Sequence, residues 1–284
     1  MSIDDLPPLR DVIARHELGA KKAFGQHFLL DLNLTGKIAS LAGDLAAANA
    51  IEIGPGPGGL TRAILSAGAK SLTVVEKDSR FLGALEEIGG ASGGRLHIEQ
   101  ADAVDAEETS LLPDDAPRVI LSNLPYNVGT LLLLKWLQAE PMWWTRAVLM
   151  FQREVADRVV ARPGTKAYGR LAVISQSRCH AHLSLKVPAR AFTPPPKVDS
   201  AVVVLDPLPV DRQFKDVEAL GIVTASAFGQ RRKTLRRSMA QAAGQTRASA
   251  EELIAEAGLD AGARAEVIDI AGFQALATAW RAAR

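Results

Sequence analysis

Apolar stretches alternate with polar stretches along the chain in a pattern that predicts strands separated by helices. Five short apolar runs end in a glycine or a polar residue, which is typical of strands that carry ligands at their carboxyl ends. These runs lie at residues 50–53, 72–76, 96–100, 119–121 and 146–152. The order predicts an α/β fold built on a doubly wound parallel sheet.

Two further apolar runs, at residues 182–187 and 200–205, predict an antiparallel pair that closes the sheet. Helical periodicity appears in an amphipathic lead within residues 1–20 and again at 33–42, 153–162 and 171–174. The region from residue 207 onward shows helical periodicity without strand patterns, at 217–228, 251–256 and 273–280. We therefore expect a first domain at 1–206 and a smaller all-helical domain at 207–284.

Length and composition restrict the class of protein. A chain of 284 residues with 48% hydrophobic content can bury a large core, and no apolar run is long enough to span a bilayer. Residues 1–5 contain two acids and no apolar segment, so we expect no secretory signal and a cytoplasmic location. Cys179 is the single cysteine, which excludes an internal disulfide and a cysteine metal cluster.

The net charge of +1 hides an uneven distribution of charged residues. Residues 76–115 hold eleven acids and three bases, whereas residues 141–197 hold ten bases and two acids. Such a basic band favours a phosphate-bearing partner over a merely solvated face. Residues 206–284 are nearly balanced, with eleven bases and ten acids, but five of those bases fall within seven positions: Arg231, Arg232, Lys233, Arg236 and Arg237.

Residues 123–126, with the sequence Asn-Leu-Pro-Tyr, follow the apolar run 119–121. The amine of a nucleobase needs hydrogen-bond acceptors that hold it and favour a pyramidal nitrogen, and the Asn123 side-chain oxygen and the Leu124 carbonyl are such acceptors. Pro125 restricts the residue before it and so aims that carbonyl, while Tyr126 can stack on the base. An ordinary turn after a strand is the alternative interpretation.

A glycine-rich segment at 54–59 follows the strand predicted at 50–53 and precedes a helix. Glycines there allow the backbone to approach a ligand, and Glu76 ends the next strand, where a carboxylate can bind both hydroxyls of a ribose. These residues alone also allow a nicotinamide or flavin cofactor. Asp102 follows the third strand and suits the amine of an adenine. The four elements in this order resemble the S-adenosylmethionine-dependent methyltransferases of the doubly wound class.

Five segments together resemble the bacterial 16S ribosomal RNA adenine dimethyltransferases, a group within the ribosomal RNA adenine N6-methyltransferase family. They are residues 24–29 (Phe-Gly-Gln-His-Phe-Leu), 52–56, 123–127, 192–200 (Phe-Thr-Pro-Pro-Pro-Lys-Val-Asp-Ser) and 230–235. The resemblance implies a class I (Rossmann-like) seven-stranded sheet and S-adenosyl-L-methionine as cofactor. It further implies that N6 of two adjacent adenines is dimethylated in a hairpin loop near the 3′ end of 16S rRNA within the 30S subunit. The enzyme would act during subunit biogenesis as a monomer that binds neither a metal nor a membrane.

The resemblance also assigns roles to individual residues. The implied cofactor contacts are His27, Leu29, Gly54, Glu76, Asp102 and Asn123. The implied catalytic residues are Asn123, Leu124, Pro125, Tyr126 and Phe192, with the hypothesis that Phe192 and Tyr126 enclose the target base. The alternative interpretation is that Phe192 anchors the core beneath the rigid proline-containing segment. The density of basic residues at 231–237 favours a contact with RNA phosphates, and a solvated helix face is the alternative interpretation. Many relatives carry Asn where this chain has His27.

Three alternatives remain open at this point. A 23S rRNA adenine N6-methyltransferase of the antibiotic-resistance type would share the chemistry, although the basic residues 231–237 argue against it. A nicotinamide oxidoreductase has no comparable need for residues 123–126. A non-catalytic small-subunit assembly factor would use the same basic surfaces.

Overall fold

The computed structural model describes residues 2–20 and 26–284. These residues form nine strands: β1 (Phe28–Leu29), β2 (Asn49–Ile53), β3 (Ser71–Val75), β4 (Leu96–Glu99), β5 (Arg118–Asn123), β6 (Arg146–Gln152), β7 (Cys179–Val187), β8 (Phe192–Thr193) and β9 (Ser200–Pro207). They also form thirteen α-helices: α1 (Leu9–Arg15), α2 (Leu32–Ser40), α3 (Gly59–Ser66), α4 (Leu82–Ala91), α5 (Glu108–Leu111), α6 (Gly129–Gln138), α7 (Arg153–Val159), α8 (Arg170–Gln176), α9 (Val217–Gly229), α10 (Leu235–Ser238), α11 (Ala240–Ala243), α12 (Ala250–Glu256) and α13 (Ile270–Ala282).

Seven strands form one sheet in the order β4-β3-β2-β5-β6-β9-β7. Strands β4, β3, β2, β5 and β6 pair in parallel, and β9 pairs antiparallel with β6. The predicted seven-stranded α/β sheet is therefore confirmed. The short strands β1 and β8 pair with each other outside this sheet, through Leu29 opposite Phe192, which the sequence pattern did not indicate.

The strand order reverses between β2 and β5, because the chain runs outward from β2 to β4 and then returns to β5 and β6. In open α/β sheets, ligands bind beyond the carboxyl ends of the strands at this point of reversal. Ser122 ties the two strands together there, since its hydroxyl donates a 2.6 Å hydrogen bond to the Ile53 carbonyl. The topology thus places residues 54–59 and 123–126 side by side.

Burial explains why these runs became central strands. Every residue of β2 and β3 is buried, as a parallel strand covered on both faces requires. Helix α3 is buried along nearly its whole length, from Gly59 to Leu65, so it packs as a core element. Within β2 the side chain of Glu52 is only 1% exposed, an acid in the middle of an otherwise apolar strand.

The chain divides into two compact units. The first comprises Met1–Leu133, Trp143–Ala156 and His182–Asp206, and the second comprises Leu134–Met142, Asp157–Ala181 and Pro207–Arg284. A unit boundary therefore falls at 206/207, where we placed a domain boundary. The second unit also includes residues 134–142 and 157–181, which the sequence-based division had placed with the first domain.

The second unit is helical at its carboxyl end and has its own aromatic core. The rings of Phe228 and Phe273 lie 5.3 Å apart, and Tyr168 meets Phe228 edge-on at 5.8 Å. The Tyr168 hydroxyl donates to the Ile268 carbonyl, and burial raises the pKa of Tyr168. The Trp280 indole donates to a backbone carbonyl of α11. These polar tips are satisfied, so the rings can pack inside the unit.

Several element ends differ from the expected ones. Helix α7 ends at Val159 rather than at residue 162, since the residue before Pro163 is disfavoured in a helix. Strand β7 begins at Cys179, three residues before the expected start. Helices α9, α12 and α13 lie where periodicity placed them. Phe24 and Gly25 of the first family-like segment, and the basic residues before them, lie outside the described residues.

Candidate active site

A cavity of about 550 Å³ lies at the carboxyl ends of β2, β3, β4 and β5. Its volume falls within the usual range for a small-molecule site. Nine residues that the sequence assigned to cofactor or catalysis line it: His27, Leu29, Gly54, Glu76, Asp102, Asn123, Leu124, Pro125 and Tyr126. The four strand ends thus converge on a single site, as the sequence predicted.

The glycine-rich segment forms one wall of the cavity. Gly54, Gly56 and Gly58 all have positive φ angles, between 54° and 90°, which side chains other than glycine rarely adopt. Gly59 has a different constraint, because a Cβ atom there would lie 2.3 Å from the Leu29 carbonyl oxygen. A Cβ at Gly54 would contact the ring of Pro125 at 3.4 Å. Glycines at these positions therefore bring β1, the β2 turn and the β5 turn together.

Glu76 presents a buried carboxylate to the cavity. Its two oxygens accept hydrogen bonds from the backbone N–H groups of Gly56, at 3.1 Å, and Asp78, at 2.8 Å. Burial raises the pKa of Glu76, and these backbone hydrogen bonds oppose that rise. The carboxylate is therefore fixed between two loops, and its remaining lone pairs can accept from ligand hydroxyls.

Asp102 lies beyond β4 and is held by two contacts. Lys77 Nζ forms a 2.7 Å salt bridge with one oxygen, and the Val104 N–H donates to the other at 3.0 Å. This contact with Asp102 raises the pKa of Lys77. Nearby, the hydrogen bonds from Arg80 lower the pKa of Asp78. On this wall Lys77 is thus paired with Asp102, and Arg80 is paired with Asp78.

Residues 123–126 form the opposite wall. The Asn123 Nδ2 group donates to the His27 carbonyl oxygen at 3.2 Å. A carbonyl can only accept, so the amide nitrogen must face it and Oδ1 must point the other way. Within the part of the chain that is described, no group donates to the Leu124 carbonyl. Two acceptors therefore remain available beside the cavity.

Tyr126 is held in place at both ends. Its hydroxyl shares a 2.8 Å hydrogen bond with the hydroxyl of Ser200, and its ring lies 5.6 Å from the His27 ring. Partial burial raises the pKa of Tyr126. The His27 Nδ1 atom faces the Pro194 carbonyl at 2.8 Å, so Nδ1 carries a proton and donates it. The Nε2 atom of His27 is therefore the one that remains for a ligand.

Phe192 lies differently from the other catalytic residues assigned by resemblance. Its side chain is 2% exposed, it is not among the residues that line the cavity, and its ring meets His27 edge-on at 6.5 Å. It stands behind His27, in the β1–β8 pair. For Phe192 to enclose a base with Tyr126, its side chain must move from this position.

The cavity is also lined by charged residues that the sequence did not assign to the site, among them Glu52, Asp78 and Arg80. Glu52 accepts a 2.6 Å hydrogen bond from the Thr61 hydroxyl of α3. Burial raises the pKa of Glu52 to about 8, and the charge of Glu76 adds to the rise. The sequence did indicate Glu52, because an acid is almost never buried inside an apolar strand unless it is paired or has a function. Asp78 and Arg80 had no such signal.

The basic residues 231–237 belong to the second unit. Arg231 is engaged, because its guanidinium contacts the Glu266 carboxylate at 3.1 Å and the Thr165 carbonyl at 3.2 Å. Arg236 approaches Glu251 at 3.7 Å, and both side chains are exposed. Arg232, Lys233 and Arg237 are exposed to solvent. Of the five basic residues, Arg231 is therefore bound to other residues of the second unit, and the other four are exposed.

No helix among residues 2–20 and 26–284 is long and apolar enough to cross a membrane. No cluster of three or more histidines, cysteines or acids suited to a metal ion occurs in the same ranges.

Comparisons with known proteins agree on one protein family. The family model "Ribosomal RNA adenine dimethylase" matches residues 18–276. The "Ribosomal RNA small subunit methyltransferase A" of Maricaulis maris (strain MCS10) is 77% identical over 283 residues, which cover 100% of this chain and 98% of that protein. The protein of the same name from Rhodospirillum rubrum is 53% identical over 280 residues, covering 99% and 94% of the two chains.

Two solved structures share the fold. A dimethyladenosine transferase from Plasmodium falciparum superposes with a TM-score of 0.75 at 24% identity, covering 88% of this chain and 96% of the other. The 23S rRNA methyltransferase ErmE superposes with a TM-score of 0.62 at 24% identity, covering 89% and 99%. These likenesses establish the fold that surrounds the cavity.

Proposed function

The chain belongs to the ribosomal RNA adenine dimethylase family, and from that membership we propose that it dimethylates N6 of adenines in 16S rRNA with S-adenosyl-L-methionine. The observation that carries the proposal is the convergence of four strand ends on one cavity. Glu76, Asp102 and the glycine-rich segment line one part of it, and residues 123–126 line another. A nucleoside cofactor and a nucleobase therefore have separate walls to bind.

The residues present fit the cofactor. Glu76 is a buried carboxylate whose free lone pairs suit ribose hydroxyls, and Asp102 offers an acceptor for an adenine amine. The positive φ angles of Gly54, Gly56 and Gly58 let the backbone approach a ligand closely. His27 Nε2, Leu29 and Asn123 complete the contacts that we propose. When bound, the cofactor supplies a methyl group on a positively charged sulfur.

We assign the orientation of the substrate amine to Asn123 and Leu124. The Asn123 Oδ1 atom and the Leu124 carbonyl accept the two N6 hydrogens and turn the nitrogen lone pair toward the methyl group. Their contribution is mainly positioning, which can supply several kcal/mol of the barrier reduction. No strong base is required, because the nitrogen's proton becomes acidic once the new N–C bond forms.

Tyr126 is the proposed stacking platform for the target base. The bond to Ser200 fixes the ring, so little side-chain entropy is lost when a base stacks on it. An unpaired base in a hairpin loop reaches such a site at lower cost than one in a duplex. Pro125 packs against Gly54 and so positions residues 123–126 relative to the glycine-rich segment. We keep Phe192 as the proposed second ring, reached after the movement described above.

The proposed substrate is two adjacent adenines in the hairpin loop near the 3′ end of 16S rRNA, within the 30S subunit. Support comes from the relatives named small subunit methyltransferase A and from the exposed bases Arg232, Lys233, Arg236 and Arg237. Such cations bind phosphates by releasing counterions. We propose residues 207–284 as the RNA-binding domain, in which Arg231 is held by Glu266 and the Thr165 carbonyl. Because the proposed substrate is the 30S subunit, we propose a cytoplasmic location, and we propose that the protein acts as a monomer.

The test is transfer of tritiated methyl groups from S-adenosylmethionine to unmethylated 30S subunits, followed by digestion to nucleosides. Wild type is expected to form N6,N6-dimethyladenosine at two adenines. Asn123→Ala should lose about 10²–10³-fold in rate, as removal of one orienting group does elsewhere. Asn33→Ala, which removes an amide from the exposed start of α2, is the matched control and should match wild type.

Other outcomes identify the alternatives. Label that appears only in 23S rRNA would leave the chemistry intact and overturn the substrate. Binding to 30S subunits without any label would favour a non-catalytic assembly factor. Equal rates for Asn123→Ala and wild type would remove residues 123–126 from the proposed mechanism.

A further inference from the structure

Two carboxyl groups lie buried in the same cavity without a basic partner. Glu52 is 1% exposed and Glu76 is 6% exposed, and both line the cavity. Glu52 is bonded by the Thr61 hydroxyl, and Glu76 by backbone N–H groups. Neither forms a salt bridge with any lysine, arginine or histidine in the described part of the chain. Two buried acids that share one site cannot both ionise cheaply.

The basic side chains of the cavity have acid partners of their own, and of these Arg80 also interacts electrostatically with Glu76. Lys77 is paired with Asp102, and Arg80 is paired with Asp78. Among the described residues, the Thr61 hydroxyl of α3 bonds to Glu52, and the charge of Glu76, the residue after β3, acts on it. The site thus has a deficit of positive charge next to Glu52. A cation that enters the cavity would supply it.

We propose that Glu52 is a proton-exchanging carboxyl of the cofactor site, protonated when the cavity is empty and ionised when a positively charged cofactor enters. The inference rests on the proposed function, because S-adenosylmethionine carries positive charge on its sulfur and on its amino group. In this step the O–H bond of Glu52 breaks, the proton passes to solvent, and the carboxylate stays opposite the positive charge of the cofactor. Nothing is oxidised or reduced.

Glu52 thereby becomes a residue that selects the charged form of the ligand. A neutral ligand of similar shape fills the cavity but leaves Glu52 protonated. The compound 5′-methylthioadenosine is such a ligand, since it keeps the adenosine and the sulfur and lacks both positive charges. Proton release, and not affinity alone, therefore separates this role from a merely structural one.

The experiment is titration calorimetry of the purified full chain at pH 7 in phosphate and in Tris, whose ionisation enthalpies differ. The difference in apparent enthalpy between the buffers counts the protons released on binding. For wild type with S-adenosylmethionine we expect roughly 0.9 proton, the protonated fraction at pH 7 of a carboxyl whose pKa is about 8. With 5′-methylthioadenosine we expect the release to fall to near zero.

Variants assign the proton to Glu52. Glu52→Gln copies the protonated carboxyl in shape, and its release with S-adenosylmethionine should fall to near zero while circular dichroism stays unchanged. Thr61→Val removes the hydrogen bond that lowers the pKa of Glu52, so at pH 8.5 it should release more protons than wild type. Thr61→Ser keeps the hydroxyl and should behave like wild type.

The outcomes separate this inference from the proposed function. If S-adenosylmethionine does not bind to the wild type at all, the proposed function fails. If it binds with the same enthalpy in both buffers, the cofactor assignment stands and the role of Glu52 fails. If proton release persists in Glu52→Gln and disappears in Glu76→Gln, the proton belongs to Glu76 and the inference is overturned. If Glu52→Gln binds too weakly to titrate, the Thr61 variants and 5′-methylthioadenosine decide.

Discussion

The cavity and the basic cluster at residues 231–237 use polar side chains in opposite ways. In the cavity, acids are buried and held by short hydrogen bonds from backbone groups, as at Glu76. In the cluster, Arg232, Lys233 and Arg237 are exposed, and the nearest acid to Arg236 lies 3.7 Å away. One region is organised before any ligand arrives, whereas the other keeps its charges exposed at the surface.

This contrast shows what each region can recognise. A small cofactor is recognised by groups that are already in position, because preorganisation lowers the cost of binding. A polyanion such as RNA is attracted by charge over some distance, and its attraction depends on salt. A single substitution in the cavity should therefore cause a large loss in one step, and substitutions in the cluster should each weaken RNA binding by a smaller amount.

Gly59→Ala should damage the cavity most. The new Cβ would lie 2.3 Å from the Leu29 carbonyl oxygen, and the backbone must shift to relieve the clash. We expect a loss of about 3 kcal/mol in the free energy of unfolding, measured by urea denaturation. Gly36→Ala, in α2 with open space around the site, is the control and should be neutral or slightly stabilising. Equal stability of the two variants would show that the cavity wall is not rigid.

Tyr126→Ala should lower kcat/KM for 30S subunits by about 30-fold, since base stacking on an aromatic ring contributes about 2 kcal/mol. Tyr126→Phe keeps the ring and loses only the bond to Ser200, so a change of a few-fold is expected. Steady-state methyl transfer measures both. If Tyr126→Phe is as slow as Tyr126→Ala, the hydroxyl and not the ring would be the important group.

Replacing Arg232 and Lys233 with Glu should weaken 30S binding by about 10-fold at moderate salt and flatten its dependence on salt, while cofactor affinity stays unchanged. Filter binding across a salt series measures the slope. The double change Arg212→Glu and Lys215→Glu alters the same charge at exposed positions of the same unit and should leave the slope intact. An identical slope in both double variants would remove the cluster from RNA binding.

Stability of the ligand-free protein should fall as pH rises from about 5 to about 8. Burial raises the pKa of Glu52 from 4.5 to about 8, so the folded protein keeps a proton that the unfolded chain releases. The expected loss is roughly 1 kcal/mol per pH unit in this window, and Glu76 contributes in the same direction. Urea denaturation at several pH values should show a flatter dependence for Glu52→Gln. An unchanged dependence would mean that Glu52 is ionised in the empty cavity.

Most of the cavity could be predicted from the sequence because its residues occupy fixed places relative to strands. Gly54, Glu76, Asp102 and Asn123 each end or follow a strand of the parallel sheet, and parallel strands present those ends at one edge. Phe192 carries no such constraint, since its position depends on the pairing of β8 with β1. The sequence placed it in the site, whereas the structure buries it behind His27.

The strand and helix order, the family resemblance and the residue types at the strand ends follow from the sequence alone, because hydrophobic periodicity and glycine spacing are local properties. Three features depend on the folded chain: Glu52 and Glu76 are buried in one cavity, Arg231 is held by Glu266, and residues 134–142 and 157–181 belong with the helical unit. The reason is physical: burial, pKa and ion pairing depend on groups that are distant in the chain and adjacent only after folding.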